Sequence, residues 1–345
     1  MEYRLMGNTG VSVSRLCLGS MNFGHETDQD GAFEQLDAYL DAGGNFIDTA
    51  DVYSDGAAET IIGNWFKERP GMRQQVVLAT KGRFPTGEHP NSVGLSRKHL
   101  NDALNASLRR LGVETIDLYQ MHAFDPLTPL EETLRFVDDA IRAGKVHYFG
   151  ISNFIGYQIA AVSERALSAG LTPPAMLQPQ YNLLVRGIEA EVVPACLEYG
   201  MGIIAWSPLG GGWLSGKYHR DVPPTGHTRL GENPERGMEG WAKRNANQQT
   251  WDILAELRRV ADELGVTMAQ AALAWVADRP AVTAPILGAR TMEQLQDVLG
   301  AADLHLPDEL IARLDDVSDP RFADYPYGKP GRDQRDRPIP GGRAN

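Results

Sequence analysis

The chain has 345 residues, 42% of them hydrophobic and 23% charged, with a formal net charge of −12. That is ordinary globular composition, and the excess of acid argues against nucleic acid or an anionic membrane as the principal partner. Two cysteines, Cys17 and Cys196, cannot make a disulfide framework, and no Cys/His pair has zinc-ligand spacing, so both read as small buried hydrophobes and no metal is expected.

The first residues, MEYRLMGNTGVSVSRL, carry an acid at once and lack an apolar run, so they do not read as a signal peptide. Their GNTGVSVS segment is a turn-flanked alternation that predicts a short hairpin. No stretch approaches the ~20 apolar residues of a membrane span, and a reducing, cytoplasmic setting is expected. From residue 16 onward, β-branched or apolar runs alternate with amphipathic helical stretches. Strands are predicted at Leu16–Met21, Asn45–Ala50, Val76–Lys81, Ile116–His122, His147–Ser152, Ala175–Asn182, Gly202–Pro208 and Thr283–Gly288. Between them lie helical patterns such as DGAFEQLDAYLDAG, SRKHLNDALNASLRRLG, PLEETLRFVDDAIRAG and TWDILAELRRVADELG, several closing on a glycine, as IRAGK does.

Eight strand-then-helix units in a row fit an α/β fold, either a (β/α)8 barrel or a doubly wound sheet. A dinucleotide-binding doubly wound domain should carry G-x-G-x-x-G early in the chain, and none occurs. The count of eight, with no composition break, predicts one barrel domain over residues 1–318, hairpin included. Two segments break the repeat. Residues 209–246 form a long Gly/Pro-rich insertion after the seventh barrel strand, and residues 319–345 form a tail rich in Pro, Gly and Arg. Long loops at one barrel face commonly serve function, whereas the tail is expected either to cover the active site or to have no catalytic part.

Active sites of such barrels are assembled at the C-terminal ends of the strands. The second predicted strand ends in Asp48, with Tyr53 just beyond; the third ends in Lys81 and the fourth in His122. The fifth ends in Ser152-Asn153, the sixth carries Gln178, and the seventh ends in Trp206-Ser207-Pro208. Taken singly, each has a bland explanation: a solvated strand end, a turn cap or a satisfied polar residue. Together, an acid, a phenol, a lysine and a histidine converge on one mouth. A phenol has an ordinary pKa near 10, and a neighbouring lysine cation is expected to lower it. A carboxylate holds the lysine, whose ammonium would be costly to bury unpaired, and a neutral histidine holds a substrate oxygen. Reducing a carbonyl needs such a proton donor together with a hydride source, and no side chain supplies hydride.

These segments resemble the aldo-keto reductase family over nearly the whole chain. The likeness runs through FIDTADVY (46–53), LATK (78–81), IDLYQMHAFDPLTPLEETL (116–134), FGISNF (149–154), LQPQYNLL (177–184), AWSPLGGGWLSGKY (205–218) and PILGARTMEQL (285–295), in register. It implies a (β/α)8 NADPH-dependent reductase of aldehydes and ketones. Tyr53 would be the general acid, Lys81 and Asp48 would tune it, and His122 would orient the carbonyl. Ser152, Asn153 and Gln178 would bind the nicotinamide carboxamide, and Trp206 would stack on the ring. Gly19, Ser20 and Met21 would lie beside the ribose and nicotinamide. Ser207, Pro208, Leu209, Gly212 and Lys217 would line the pyrophosphate, with Arg229 as a latch. Gly288, Arg290 and Gln294 would sit at the adenosine end, where an arginine suits a 2′-phosphate and NADPH is expected over NADH.

Two departures from the family pattern stand out. DVLGA (297–301) replaces the usual ENLGA, putting Val298 in place of an asparagine that contacts adenine and leaving Asp297 a weaker adenine contact. The tail YPYGKPGRDQRDRPIP is also longer and more basic than the family pattern. Phe23, Phe84, Phe124 and Trp213 are expected to line the substrate pocket, which suits small hydrophobic carbonyls and a detoxifying role. Two other readings stand beside the reductase: a Schiff-base aldolase using Lys81, and a regulatory NADPH-binding protein with slow turnover, like the family's potassium-channel β-subunits. The sequence carries no signal of oligomeric state.

Overall fold

The computed structural model describes residues 1–335, apart from 236 and 323. A hairpin of β1 (Tyr3–Leu5) and β2 (Ser12–Ser14) precedes eight barrel strands: β3 (Cys17–Gly19), β4 (Phe46–Asp48), β5 (Val77–Gly82), β6 (Ile116–Met121), β7 (Val146–Ser152), β8 (Met176–Gln178), β9 (Gly202–Ala205) and β10 (Val282–Leu287). All eight run parallel, each beside its sequence neighbour, and β10 closes the ring against β3. The predicted (β/α)8 barrel is therefore the fold. The predicted Leu16–Met21, Asn45–Ala50, Ala175–Asn182 and Gly202–Pro208 overrun the observed strands by two residues or more, because the pairing stops where the chain turns outward at the mouth, whereas the other four agree within a residue at each end.

Helices α1 (Gln29–Asp41), α2 (Ala57–Glu68), α3 (Arg97–Leu111), α4 (Leu130–Arg142), α5 (Gly156–Ser168) and α6 (Val192–Glu198) follow β3 to β8 in turn. Their ends obey local chemistry. Ser96 accepts the His99 N–H at the start of α3, and Gly112 ends that helix in the left-handed region at φ 64°. After β9 the insertion contains two short helices, α7 (Arg229–Glu232) and α8 (Trp241–Asn245), before α9 (Gln248–Leu264) and α10 (Met268–Ala277) cover the wall. Helices α11 (Met292–Leu299), α12 (Asp308–Val317) and α13 (Lys329–Arg335) complete the described chain. No described helix is long and apolar enough to cross a membrane.

Residues two apart in a strand share a face, so every barrel strand divides its side chains between lumen and helices. Cys17, Phe46, Ala79, Leu118, Met176, Ile204 and Ala284 fill the lower lumen. Met6 and Val13 of the hairpin join that cluster and plug the barrel from below. Gly7 makes the plug possible: at φ 56°, a Cβ there would lie 2.2 Å from the Ala175 carbonyl oxygen. Residues 336–345 lie outside the described residues. From the described tail, Tyr327 donates to Glu191 in the loop before α6, and Gln249 donates to the Asp319 carbonyl, so this part rests on the outer rim of the barrel.

A buried polar cluster ties β5 to α2 and α3. Glu59, fully buried, accepts from Thr80 Oγ1 at 2.5 Å and from Arg110 Nε at 2.8 Å. Asp51 lies nearby with neither carboxylate oxygen hydrogen-bonded. Burial, then the Glu59 charge, pushes its carboxyl up to about 7 despite Arg110 and Lys81. An acid whose folded pKa exceeds its unfolded value near 3.9 binds its proton more tightly when folded, so wild type loses stability as pH rises from about 4 to 7. An amide escapes that loss. Asp51→Asn should match wild type near pH 4 and exceed its stability by about 1–3 kcal/mol at pH 8. Thermal melts across that range check this; a pH-independent difference contradicts it.

Candidate active site

The alternation that packs the lower lumen also selects what stands at its top. Two residues above Phe46 comes Asp48; two above Ala79 comes Lys81; two and four above Leu118 come Gln120 and His122. Gln178 stands two above Met176, and Trp206 two above Ile204. Pairing of Asp48 with Ala79, and of Lys81 with Gln120, sets these side chains side by side at the strand ends.

Lys81 is the hub. Its ammonium, fully buried, donates to Asp48 Oδ2 at 2.6 Å, to the Thr49 carbonyl at 2.8 Å and to Tyr53 Oη at 3.1 Å. Burial alone would lower its pKa, but Asp48 and Tyr53 outweigh that and raise it, so the lysine is a cation at neutral pH. The second Asp48 oxygen accepts from Gln120 Nε2 at 3.0 Å and Gln178 Nε2 at 2.8 Å. Gln120 was not foreseen. Its parity with His122 was the available signal, hidden because Gln120 lies inside an apolar run.

Tyr53 follows β4 on a turn in which Ser54 and Asp55 both take left-handed backbone, at φ 49° and 54°. Such strain concentrates at functional sites, and here it aims the phenol back at Lys81. The expected lowering of the phenol pKa is not the net result. Desolvation of the hydroxyl raises it, Lys81 opposes, and Asp48 and Asp51 add to the rise, so Tyr53 holds its proton more firmly than a free tyrosine. His122 meets Tyr53 edge-on, ring centres 6.0 Å apart, and Phe84 packs on its other side at 4.6 Å. Burial, then Lys81 and Arg83, push its imidazole down to about 2, so it is neutral, and its Nδ1 has no partner.

Beside this pair, Asn153 takes left-handed backbone at φ 58° and ties the rim together. Its Nδ2 donates to the His122 carbonyl at 2.9 Å, and its Oδ1 accepts from Trp206 Nε1 at 3.0 Å. Ser152 Oγ donates to the Gln178 carbonyl at 2.8 Å. Ser152, Asn153 and Gln178 thus reach the mouth as expected, but these donors are committed to the protein.

The insertion shapes the other side. Gly210, Gly211 and Gly212 follow one another in left-handed backbone at φ 56°, 65° and 96°, and a Cβ on Gly212 would lie 2.4 Å from Lys217 Cε. Ser207, also left-handed at φ 52°, accepts the Gly211 N–H on its hydroxyl at 3.2 Å. Pro208 is buried and Leu209 half-buried beneath this turn. Burial, then Arg290 and Arg229, lower the pKa of Lys217, so three cations crowd one corner. On the strand β3 side, Met21 is exposed and Ser20 Oγ is buried without a partner. Gly19 has a different reason to be glycine: a Cβ would lie 2.5 Å from Ile286 Cγ2.

Several expected positions have other duties. Trp213 is fully buried, stacked within the insertion on Trp241 at 5.2 Å, and Phe23 is fully buried as well, so neither lines a pocket. Phe84 and Phe124 do stand at the mouth, Phe124 against Phe154 at 5.4 Å. Gly288 is exposed with open space around it. Gln294 accepts the Arg290 N–H at 2.9 Å and so fixes that loop. Asp297 accepts from Gln270 of α10 on its carbonyl and carboxylate, and Val298 is buried in the core, so the DVLGA departure serves helix packing. Arg290, expected to be open to a phosphate, is held by Glu26 at 2.8 Å and by Glu232 at 3.0 and 3.1 Å.

The crowded cations, the glycine turn and the unpartnered Ser20 hydroxyl fit a phosphate-bearing ligand lying from Trp206 to Arg290. Known proteins resemble this chain over nearly its whole length. Residues 15–319 match the model of the Aldo/keto reductase family. An uncharacterized oxidoreductase, YrpG, of Bacillus subtilis is 39% identical over 92% of this chain and 96% of its own. A probable voltage-gated potassium channel subunit beta of Arabidopsis thaliana is 37% identical over 88% of this chain and 92% of its own. Versiconal hemiacetal acetate reductase of Aspergillus parasiticus is 30% identical over 93% and 98%. The family model and the reductase relatives support an oxidoreductase, and the chain belongs to the aldo/keto reductase family.

Proposed function

We propose that the protein reduces aldehydes or ketones to alcohols with NADPH, with Tyr53 as the proton donor. The observation that supports this most strongly is the Lys81 ammonium shared between Asp48 at 2.6 Å and the Tyr53 hydroxyl at 3.1 Å. Trp206, the glycine turn at Gly210–Gly212, Lys217 and Arg290 would hold NADPH, which would supply the hydride. A carbonyl oxygen seated between Tyr53 and the neutral His122 meets two hydrogen-bonding groups. As negative charge grows on it, Tyr53 gives up its proton, and the resulting phenolate is stabilised by Lys81. The raised pKa of Tyr53 fits a donor that must arrive protonated. Because Asp48 is satisfied by Lys81, Gln120 and Gln178 together, it holds the lysine in place.

A Schiff-base aldolase is disfavoured by the same geometry. An ammonium held charged by Asp48 is not a nucleophile, and the raised Lys81 pKa widens that gap. The channel-subunit relative supports a second reading, a regulatory protein that binds NADPH and turns over slowly. The apolar mouth at Phe84, Phe124 and Phe154 favours small hydrophobic carbonyls, as a detoxifying reductase would take.

Tyr53→Phe should lower kcat for NADPH-dependent reduction across an aldehyde panel by roughly 10²-fold or more, with NADPH affinity unchanged. Absorbance at 340 nm follows the reaction. An unimpaired variant removes Tyr53 from the chemistry, and a wild type inactive on the whole panel favours the regulatory reading. Since His122 stays neutral down to about pH 2, it should leave no inflection in log kcat/KM between pH 5 and 8. An inflection near 6.5 that disappears in His122→Asn contradicts this. KM for NADPH should lie below that for NADH; equal values would remove the assignment of Arg290 to the 2′-phosphate.

A further inference from the structure

The corner at Arg290 joins three parts of the chain distant in sequence. Glu26, in the loop between β3 and α1, holds one face of the guanidinium through a side chain only 9% exposed. Glu232, at the end of α7, takes both terminal nitrogens from the other side and is 41% exposed. Glu26 is thus a built-in orienting partner, while Glu232 arrives on the long insertion. The α7 turn carrying it is compact: Thr228 caps it by accepting the Gly231 N–H at 3.0 Å, and Leu230 is fully buried. Exposed His227 lies 3.8 Å from Glu232 Oε1.

Resting on the reading of this corner as the adenosine end of a pyridine nucleotide site, we propose that Glu232 is a displaceable latch that sets the selectivity between NADP(H) and NAD(H). A carboxylate and a 2′-phosphate compete for the same guanidinium nitrogens. The phosphate brings more negative charge than a single carboxylate to the guanidinium that Glu26 already orients, so it takes Arg290 and releases α7. A nucleotide with a free 2′-hydroxyl cannot compete and leaves the latch closed. NADP(H) binding therefore carries the cost of opening Glu232, whereas NAD(H) binding does not. Selectivity is weaker than the three cations alone would give, and the insertion reports which nucleotide is bound.

Glu232→Gln keeps the shape and removes the charge. Titrations of wild type, Glu232→Gln and Arg290→Met with NADP+ and NAD+, followed by tryptophan fluorescence, supply Kd without turnover. Glu232→Gln should tighten NADP+ binding roughly 3- to 10-fold and leave NAD+ unchanged. Protease cleavage within residues 219–228 should be faster in wild type with saturating NADP+ than with saturating NAD+, and that difference should vanish in Glu232→Gln. Equal tightening for both nucleotides, or no change in either Kd, overturns the latch. Arg290→Met separates the two claims. If it leaves NADP+ affinity intact, the reading of the adenosine corner is wrong; if it weakens NADP+ alone while Glu232→Gln does nothing, that reading stands and the latch falls. Should Glu232→Gln fail a thermal melt, Glu232→Asp shortens the reach and is held to the same Kd and cleavage outcomes.

Discussion

A fully buried ammonium at the top of the barrel, 2.6 Å from a buried carboxylate, is the constraint around which the rest of this site is arranged. Neither charge is tolerable in the lumen alone; removing one partner of such a pair typically costs on the order of 3–5 kcal/mol. The surrounding polar groups complete the arrangement. Gln120 and Gln178 saturate the far oxygen of Asp48, and the Thr49 carbonyl takes another Lys81 proton. What remains of the ammonium points at Tyr53. A buried ion pair thus contributes less to stability than to orientation: it leaves one donor, aimed at one phenol.

The same pair explains the electrostatics of its neighbours. His122 is kept neutral first by burial and then by the Lys81 cation, so the imidazole can exchange hydrogen bonds with an oxygen without carrying charge itself. Tyr53 feels Lys81 and Asp48 in opposition, and desolvation decides the balance in favour of the phenol. The cation's contribution appears only as a phenolate begins to form, which is when a proton donor needs it. At the far end of the cleft the logic reverses. Arg290 and Arg229 both lower the pKa of Lys217, and Arg290 is held by Glu26 and Glu232, so cations rather than a single ion pair gather at this corner.

Much of this was legible in the sequence because barrels convert alternation into position. Once Ala79 and Leu118 are read as inward, Lys81 and His122 follow without further information. Spacing along one strand says nothing of partners across strands, however. Gln120 went unseen among apolar neighbours, although it shares the parity of His122. Trp213 and Phe23 looked like pocket residues because aromatics near a mouth usually are, but both are fully buried, Trp213 stacked on Trp241 within the insertion. The pairing of Arg290 with Glu26 and Glu232, 264 and 58 residues away, depends on how a long insertion folds back, which no local pattern encodes. The pKa of Tyr53 was misjudged for a related reason: residue types announce the neighbouring charge but not the depth of burial.

The central claim is electrostatic, and it has a direct test in the titration of Tyr53 observed by NMR in protein labelled with 13C at tyrosine Cζ. Assigned by its absence from Tyr53→Phe, the resonance should remain that of a phenol through neutral pH and titrate above the ordinary value near 10. In Lys81→Met the midpoint should move higher still. A Tyr53 that ionises near neutral pH in the wild type, or whose midpoint ignores the loss of Lys81, would contradict the account.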